Sequence, residues 1–183
     1  MKRSTVILLL ILMAACSKQS LQSAYDKQAS YIEGFVSAQM KKDTLATLTK
    51  NGNVYRLTLH DTLNAGRDSL MPGGMVSLVY GCFTLTGNSI SLSNLVSTNW
   101  KELAQAAGWT LTDTTHFKLD TLVLDNSLVE GLAAGLEGVQ QWDEGYILFT
   151  GKYGFGKYER GTIPARSALA YYYFIENISN EEE

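Results

Sequence analysis

Apolar side chains recur at every second position in three separate stretches of this 183-residue chain. That period belongs to strands that turn one face toward a core. Tyr55, Leu57 and Leu59 alternate with Arg56, Thr58 and His60, as in a half-buried strand; Val76, Leu78, Tyr80 and Cys82 share one face of a longer run; Phe117, Leu119, Thr121 and Val123 form the third. Asn51-Gly52, Met71-Pro72-Gly73-Gly74 and Gly87-Asn88 supply the breaks. Two further strands are expected at 145–150 and 166–176, separated by a Gly- and Tyr-rich loop from Gly151 to Pro164.

Helical spacing is scarcer. Ile32, Phe35, Val36 and Met40 make the apolar stripe of a helix over 24–42, read as an accessory element packed on the main domain. Asn99 and Glu102 have capping-box spacing ahead of a local helix over 99–108, with Gly108 as its stop. Ser127 and Glu130 repeat that box before a short helix whose Leu128, Leu132 and Leu136 lie on one stripe and which ends near Gly138. Strands outnumber helices, and one short buried helix comes late in the order. The fold class this implies is α+β, an antiparallel sheet curled around a short central helix.

The first residues point to export. Lys2 and Arg3 precede an uncharged apolar run from Val6 to Met13, which is too short to span a bilayer, a task for roughly 20 residues. Met13-Ala14-Ala15-Cys16 resembles the lipobox of bacterial lipoproteins. Residues 1–15 are therefore expected to leave as a signal, Cys16 to carry the lipid that holds the chain at a membrane, and 16–23 to form a polar tether. Loss of Lys2 and Arg3 takes the formal charge from −3 to −5, a balance that offers nothing to nucleic acid. The tail over 179–183 ends in three glutamates and is expected to fray.

Few residues suggest polar catalysis. With Cys16 used by the anchor, Cys82 has no intrachain partner and reads as a small buried apolar residue. His60 and His116 stand at no known metal-ligand spacing, so neither a metal nor a cofactor is expected. Asp143-Glu144 beside Gly145 reads as a solvated turn. Gly151-Lys-Tyr-Gly-Phe-Gly156 lacks the Gly-Lys-Ser/Thr ending of a phosphate loop.

The order and spacing of the second half resemble FKBP-type peptidyl-prolyl cis-trans isomerases. The family pattern V-I-x-G-W-x-x-G-L is met by Leu128-Val129-Glu130-Gly131-Leu132 with Gly135-Leu136; A-Y-G by Gly154-Phe155-Gly156; and G-x-I-P-P by Gly161-Thr162-Ile163-Pro164, followed by an alternating strand from Leu169 to Ile175. Upstream, Met75 to Gly87 is similar to the family's first core strand, with Tyr80 on its tyrosine. The resemblance implies an FKBP-like domain over 51–178 with an insertion at about 92–124, preceded by a helix and linker over 24–50. It also implies a pocket with Tyr80, Phe155 and Tyr171 as walls, Leu119, Val129 and Ile163 around them, and Leu132 as the floor.

Four positions depart from the pattern. The tryptophan floor is Leu132, the F-D-S segment is Ile90-Ser91-Leu92, the tyrosine of A-Y-G is Phe155, and the second proline of I-P-P is Ala165. An aromatic platform, a pocket carboxylate and a hydroxyl are thereby missing. The implied function is a membrane-tethered isomerase-like helper for proline-containing or unfolded exported polypeptides, with turnover weak or lost. Ser17 and Lys18 suggest the periplasmic face of an outer membrane. The alternative is a non-catalytic FKBP-like scaffold lipoprotein that works through its insertion, with Trp100, Trp109 and Phe117 as contacts.

Overall fold

A long helix, α1 (Lys2–Lys42), leads into a hairpin of β1 (Thr47–Asn51) and β2 (Val54–Leu59). The chain continues through β3 (Met75–Thr84), β4 (Leu95–Thr98), α2 (Lys101–Ala106), β5 (Asp120–Val123), α3 (Glu130–Leu136), β6 (Glu144–Phe149) and β7 (Leu169–Ser179). This computed structural model describes residues 2–60 and 67–180, with side chains from residue 19 onward. Among these residues, seven strands form one sheet in the order β1-β2-β6-β7-β3-β4, and β5 joins β3 beside β4. Every pairing is antiparallel. The fold is the expected α+β arrangement.

Period-two alternation divides the sheet into two buried faces. Val54, Val76, Leu78, Cys82, Ile147, Phe149, Leu169, Tyr173 and Ile175 pack with Leu132 and Leu136 of α3. The opposite set, Tyr55, Leu57, Leu148 and Ala170, packs with Ile32, Phe35 and Val36 of α1. β2 is therefore covered on both sides. Its Tyr55–Leu57–Leu59 face turns to α1 rather than to the central helix, while Arg56 reaches the C-terminal end of α3 and donates to the Gly135 and Glu137 carbonyls. A guanidinium suits that position because it satisfies carbonyls that the helix leaves open.

The helix α3 lies close against β6. A Cβ built on Gly131 would sit 2.3 Å from the Phe149 ring, and one on Gly135 would sit 2.2 Å from Ile147. Two glycines one turn apart let this short helix approach the sheet, and Gly138, at φ +75°, ends the segment.

Several local expectations change. Thr47–Asn51, read as linker, is the edge strand β1; its mostly exposed side chains hide the alternation. α1 runs unbroken through the segment read as a polar tether, and Met40 of its stripe is 38% exposed. Neither capping box forms. Asn99 is buried among backbone groups of β3 instead, and Ser127 bonds Asp125 through both its amide and its hydroxyl. Asp143 is buried, accepting from the Gln140 amide at 2.8 Å and pairing with Arg67 at 3.2 Å, so it is no solvated turn residue. Ser179, placed in the tail, still pairs with Met75; the three glutamates lie outside the described residues.

Candidate functional site

Tyr80, Val129, Phe155 and Tyr171, each half-buried, pack against the α3-facing core cluster to which the buried Leu132 and Ile163 belong. Four separate elements deliver them. Tyr80 comes from the middle of β3, Tyr171 from β7, Val129 and Leu132 from the start of α3, and Phe155 and Ile163 from the loop between β6 and β7. β3 and β7 are paired with Tyr171 opposite Cys82, which puts Tyr171 beside Tyr80 on the same face. Their ring centroids are 6.0 Å apart, and Tyr171 stacks on Phe149 at the same separation.

Leu119 is not part of this group. β5 pairs Leu122 with Val76 and Thr121 with Ser77, so Leu122 points to the core and the 119–121–123 face points away. Leu119 is 46% exposed and Val123 40% exposed. Alternation was legible over 117–123, but its phase was not, because a threonine-containing run carries no strong apolar bias. The Ile90-Ser91-Leu92 segment contributes nothing to the site either: Ile90 packs on the α1 side and Leu92 is exposed. Residues the sequence reading passed over are Val96, Phe149 and Tyr153, which pack in the same cluster.

The polar groups around the rings are committed to the protein. The Tyr80 hydroxyl shares a hydrogen bond of 3.0 Å with Ser97 Oγ, and burial raises its pKa. Burial likewise pushes the Tyr171 phenol upward, and the Cys82 thiol up to about 12 despite a hydrogen bond to Tyr171. Neither group ionises near neutral pH. Among the described residues no cluster of His, Cys, Asp and Glu is arranged to hold a metal ion. Tyr80, Tyr171 and their neighbours thus present apolar and aromatic surface rather than groups suited to proton transfer near neutral pH.

The loop that carries Phe155 and Ile163 is pinned at several points. The Gly131 amide at the start of α3 donates to the Tyr153 carbonyl at 2.8 Å. Arg160 and Ile163 exchange a pair of backbone hydrogen bonds, and Thr162 Oγ1 donates to the Val96 carbonyl at 3.1 Å. At the base, Arg166 donates to the Gly156 carbonyl at 2.5 Å and holds φ +62°, while Gly151 abuts the Arg166 backbone where a Cβ would have only 2.3 Å.

No protein-family model matches the sequence, and no curated protein matches it. Solved structures do. The chain is similar to the three FKBP domains of wheat FKBP73, with a TM-score of 0.55, 13% identity, and coverage of 73% of this chain and 50% of that one. Similarity to FkpA from Escherichia coli covers 95% of this chain and 71% of that protein, at a TM-score of 0.52 and 14% identity. A peptidyl-prolyl cis-trans isomerase from Pseudomonas syringae pv. tomato matches with a TM-score of 0.56 and 12% identity, over 87% of this chain and 96% of that one. The chain thus spans half the length of the wheat protein and nearly all of the Pseudomonas one. At these identities the likeness establishes an FKBP-like fold.

Proposed function

We infer that this FKBP-like chain is a lipid-anchored binder of proline-containing segments in exported polypeptides, with isomerase turnover weak or lost. The observation that supports the reading is that Tyr80, Val129, Leu132, Phe155, Ile163 and Tyr171 all belong to or pack against the one α3-facing core cluster, where they would form an apolar seat. An X–Pro bond turns over a barrier of about 18–20 kcal/mol because amide resonance must be broken. An apolar seat that holds the proline ring away from water favours the twisted, less polar imide, with no covalent step. Here the floor is the aliphatic Leu132, and the rim hydroxyl of Tyr80 is already bonded to Ser97. Binding is thereby favoured over turnover.

Anchorage rests on the sequence: the basic start, the apolar run and Ala14-Ala15-Cys16. No helix among the described residues is long and apolar enough to cross a membrane. The periplasmic face of an outer membrane is the proposed location. Expression of Cys16→Ala beside the parent, followed by fractionation, tests it; release of the variant from the membrane fraction is expected, and equal retention of both would sink the anchor.

The site is tested by titrating a fluorescent Ala-Leu-Pro-Phe peptide into the purified chain and by following a proline-limited refolding reaction. Binding with little or no acceleration is expected, and Phe155→Ala should weaken binding about tenfold, the loss of one aromatic wall. A parent chain that does not bind the peptide overturns the reading.

A second reading has its own observation. Trp100, 36% exposed at the start of the insertion helix, stacks on Tyr172 at 6.1 Å, and Tyr172 in turn contacts Tyr146 at 5.4 Å. This ladder lies away from the seat and suits a scaffold that engages partners through the insertion. Capture of a partner lost in Trp100→Ala but kept in Phe155→Ala would favour it.

A further inference from the structure

The side chain of Gln28, on α1, reaches both ends of the loop that carries Phe155 and Ile163. Its Nε2 donates to the Arg166 carbonyl at 2.7 Å, and its Oε1 accepts from the Gly151 amide at 2.9 Å. The two bonds span 138 and 123 residues of sequence. Only this orientation of the amide works, since the reverse would set donor against donor and acceptor against acceptor. The residues it joins are the tightest part of the loop: Gly151 touches the Arg166 backbone, and Arg166 occupies the left-handed region that a side chain normally avoids. A strained closure of this kind persists only where surrounding contacts hold it.

We propose that Gln28 is a positioning residue for the prolyl seat, a clasp by which the N-terminal helix closes the base of the 151–166 loop and holds Phe155 and Ile163 against Leu132. The proposal rests on the reading of that seat as a peptide site. α1 is itself fixed to the sheet by Ile32, Phe35 and Val36, all buried, so the clasp has a firm mount. The residues assigned to the seat come from β3, β7, α3 and its N-terminal flank, and the 151–166 loop, and none of them from α1. Its effect on binding would therefore pass through the loop and not through contact with the peptide.

The test uses the whole purified chain with Gln28→Ala, Gln28→Glu and, as a control on the same helix, Gln22→Ala, whose amide donates to Asp26. Alanine is the strongest helix former, so α1 itself is not weakened by the substitution. Glutamate keeps an acceptor for the Gly151 amide and loses the donor to Arg166. Two measurements are made: hydrogen exchange over 151–166, and affinity for the Ala-Leu-Pro-Phe peptide.

Exchange in the loop is expected to rise about tenfold in Gln28→Ala with β6 and β7 unchanged, the scale of losing one to two hydrogen bonds. Peptide affinity should fall about fivefold, with Gln28→Glu intermediate and Gln22→Ala unaltered. Unchanged loop exchange in Gln28→Ala overturns the clasp whether or not peptide binds. Faster exchange with unaltered affinity, in a parent that binds, overturns the positioning role alone. A parent that binds no peptide overturns the seat and this role together.

Discussion

An asparagine locked between the Leu78 carbonyl and the Tyr80 amide, at 2.9 and 2.8 Å, behaves as a fragment of strand. β4 pairs with β3 from Gly81 onward and β5 from Leu78 backward, which leaves a gap in the edge of β3 that the Asn99 amide fills. Asn99→Ala would strand one buried donor and one buried acceptor, and unfolding in urea should show a loss of about 2–4 kcal/mol. A loss within experimental error would mean that water replaces the amide. The same scale governs Cys82. Burial raises its thiol from 9.0 to about 12, so the folded chain keeps a proton that the unfolded chain releases. That contribution to stability is complete below pH 9 and is lost as pH rises from about 9 toward 12. Thermal melts should be level in neutral buffer and fall above pH 9, and iodoacetamide at pH 8 should alkylate Cys82 only after denaturation. Prompt labelling of the native chain at Cys82 contradicts this.

Among the elements, α3 is held by contact distance. Alanine at position 135 would gain about 1 kcal/mol of helix propensity over glycine. It would also drive a Cβ into Ile147, which is wholly buried and has nowhere to move. Overpacking should win, and Gly135→Ala is expected to destabilise by about 1–3 kcal/mol net in chemical denaturation. A more stable variant would show that α3 can ride outward. Legibility in the sequence follows the strength of each element's pattern. β3, β6, β7 and the Leu128–Leu132–Leu136 stripe were readable because burial on a fixed period leaves an apolar trace. β1 was not, since an exposed edge strand needs no such trace. The capping boxes misled for a physical reason: Asn99 and Ser127 each found a nearer partner than the helix start, and short polar side chains take whichever backbone or carboxylate group is closest.

At the scale of the molecule, the sheet that packs on the central helix α3 also carries α1 on its opposite face. α1 was read as accessory, yet Ile32 is fully buried and Phe35 and Val36 nearly so, against Tyr55, Leu57, Leu148 and Ala170. A chain beginning at residue 24 should melt with the parent, whereas one beginning at residue 44 would bare that face and is expected to bind a hydrophobic dye and aggregate. Equal melting temperatures for the two would show α1 to be dispensable. The sequence could name strands but not their neighbours: β2 lies beside β6, and β7 between β6 and β3, partners that local periodicity does not encode. Six residues assigned to the site from a spaced motif belong to or pack against the α3-facing core, to which α3, β3, β7 and the loop all contribute; Leu119 fell outside because its strand turned the other face inward.

The divided edge of β3 has a use that extends past this chain. The excursion between β4 and β5 leaves and rejoins the same strand only three residues apart, at Gly81 and Leu78, a separation of about 10 Å along a strand. Asn99 seals the gap, Leu103 seats over Gly81, and most of residues 110–118 stand in solvent. The sheet therefore contains a socket. Sequence beyond Trp109 is free to diversify, lengthen or be exchanged for a foreign loop at low entropic cost, while the frame that carries the seat stays as it is.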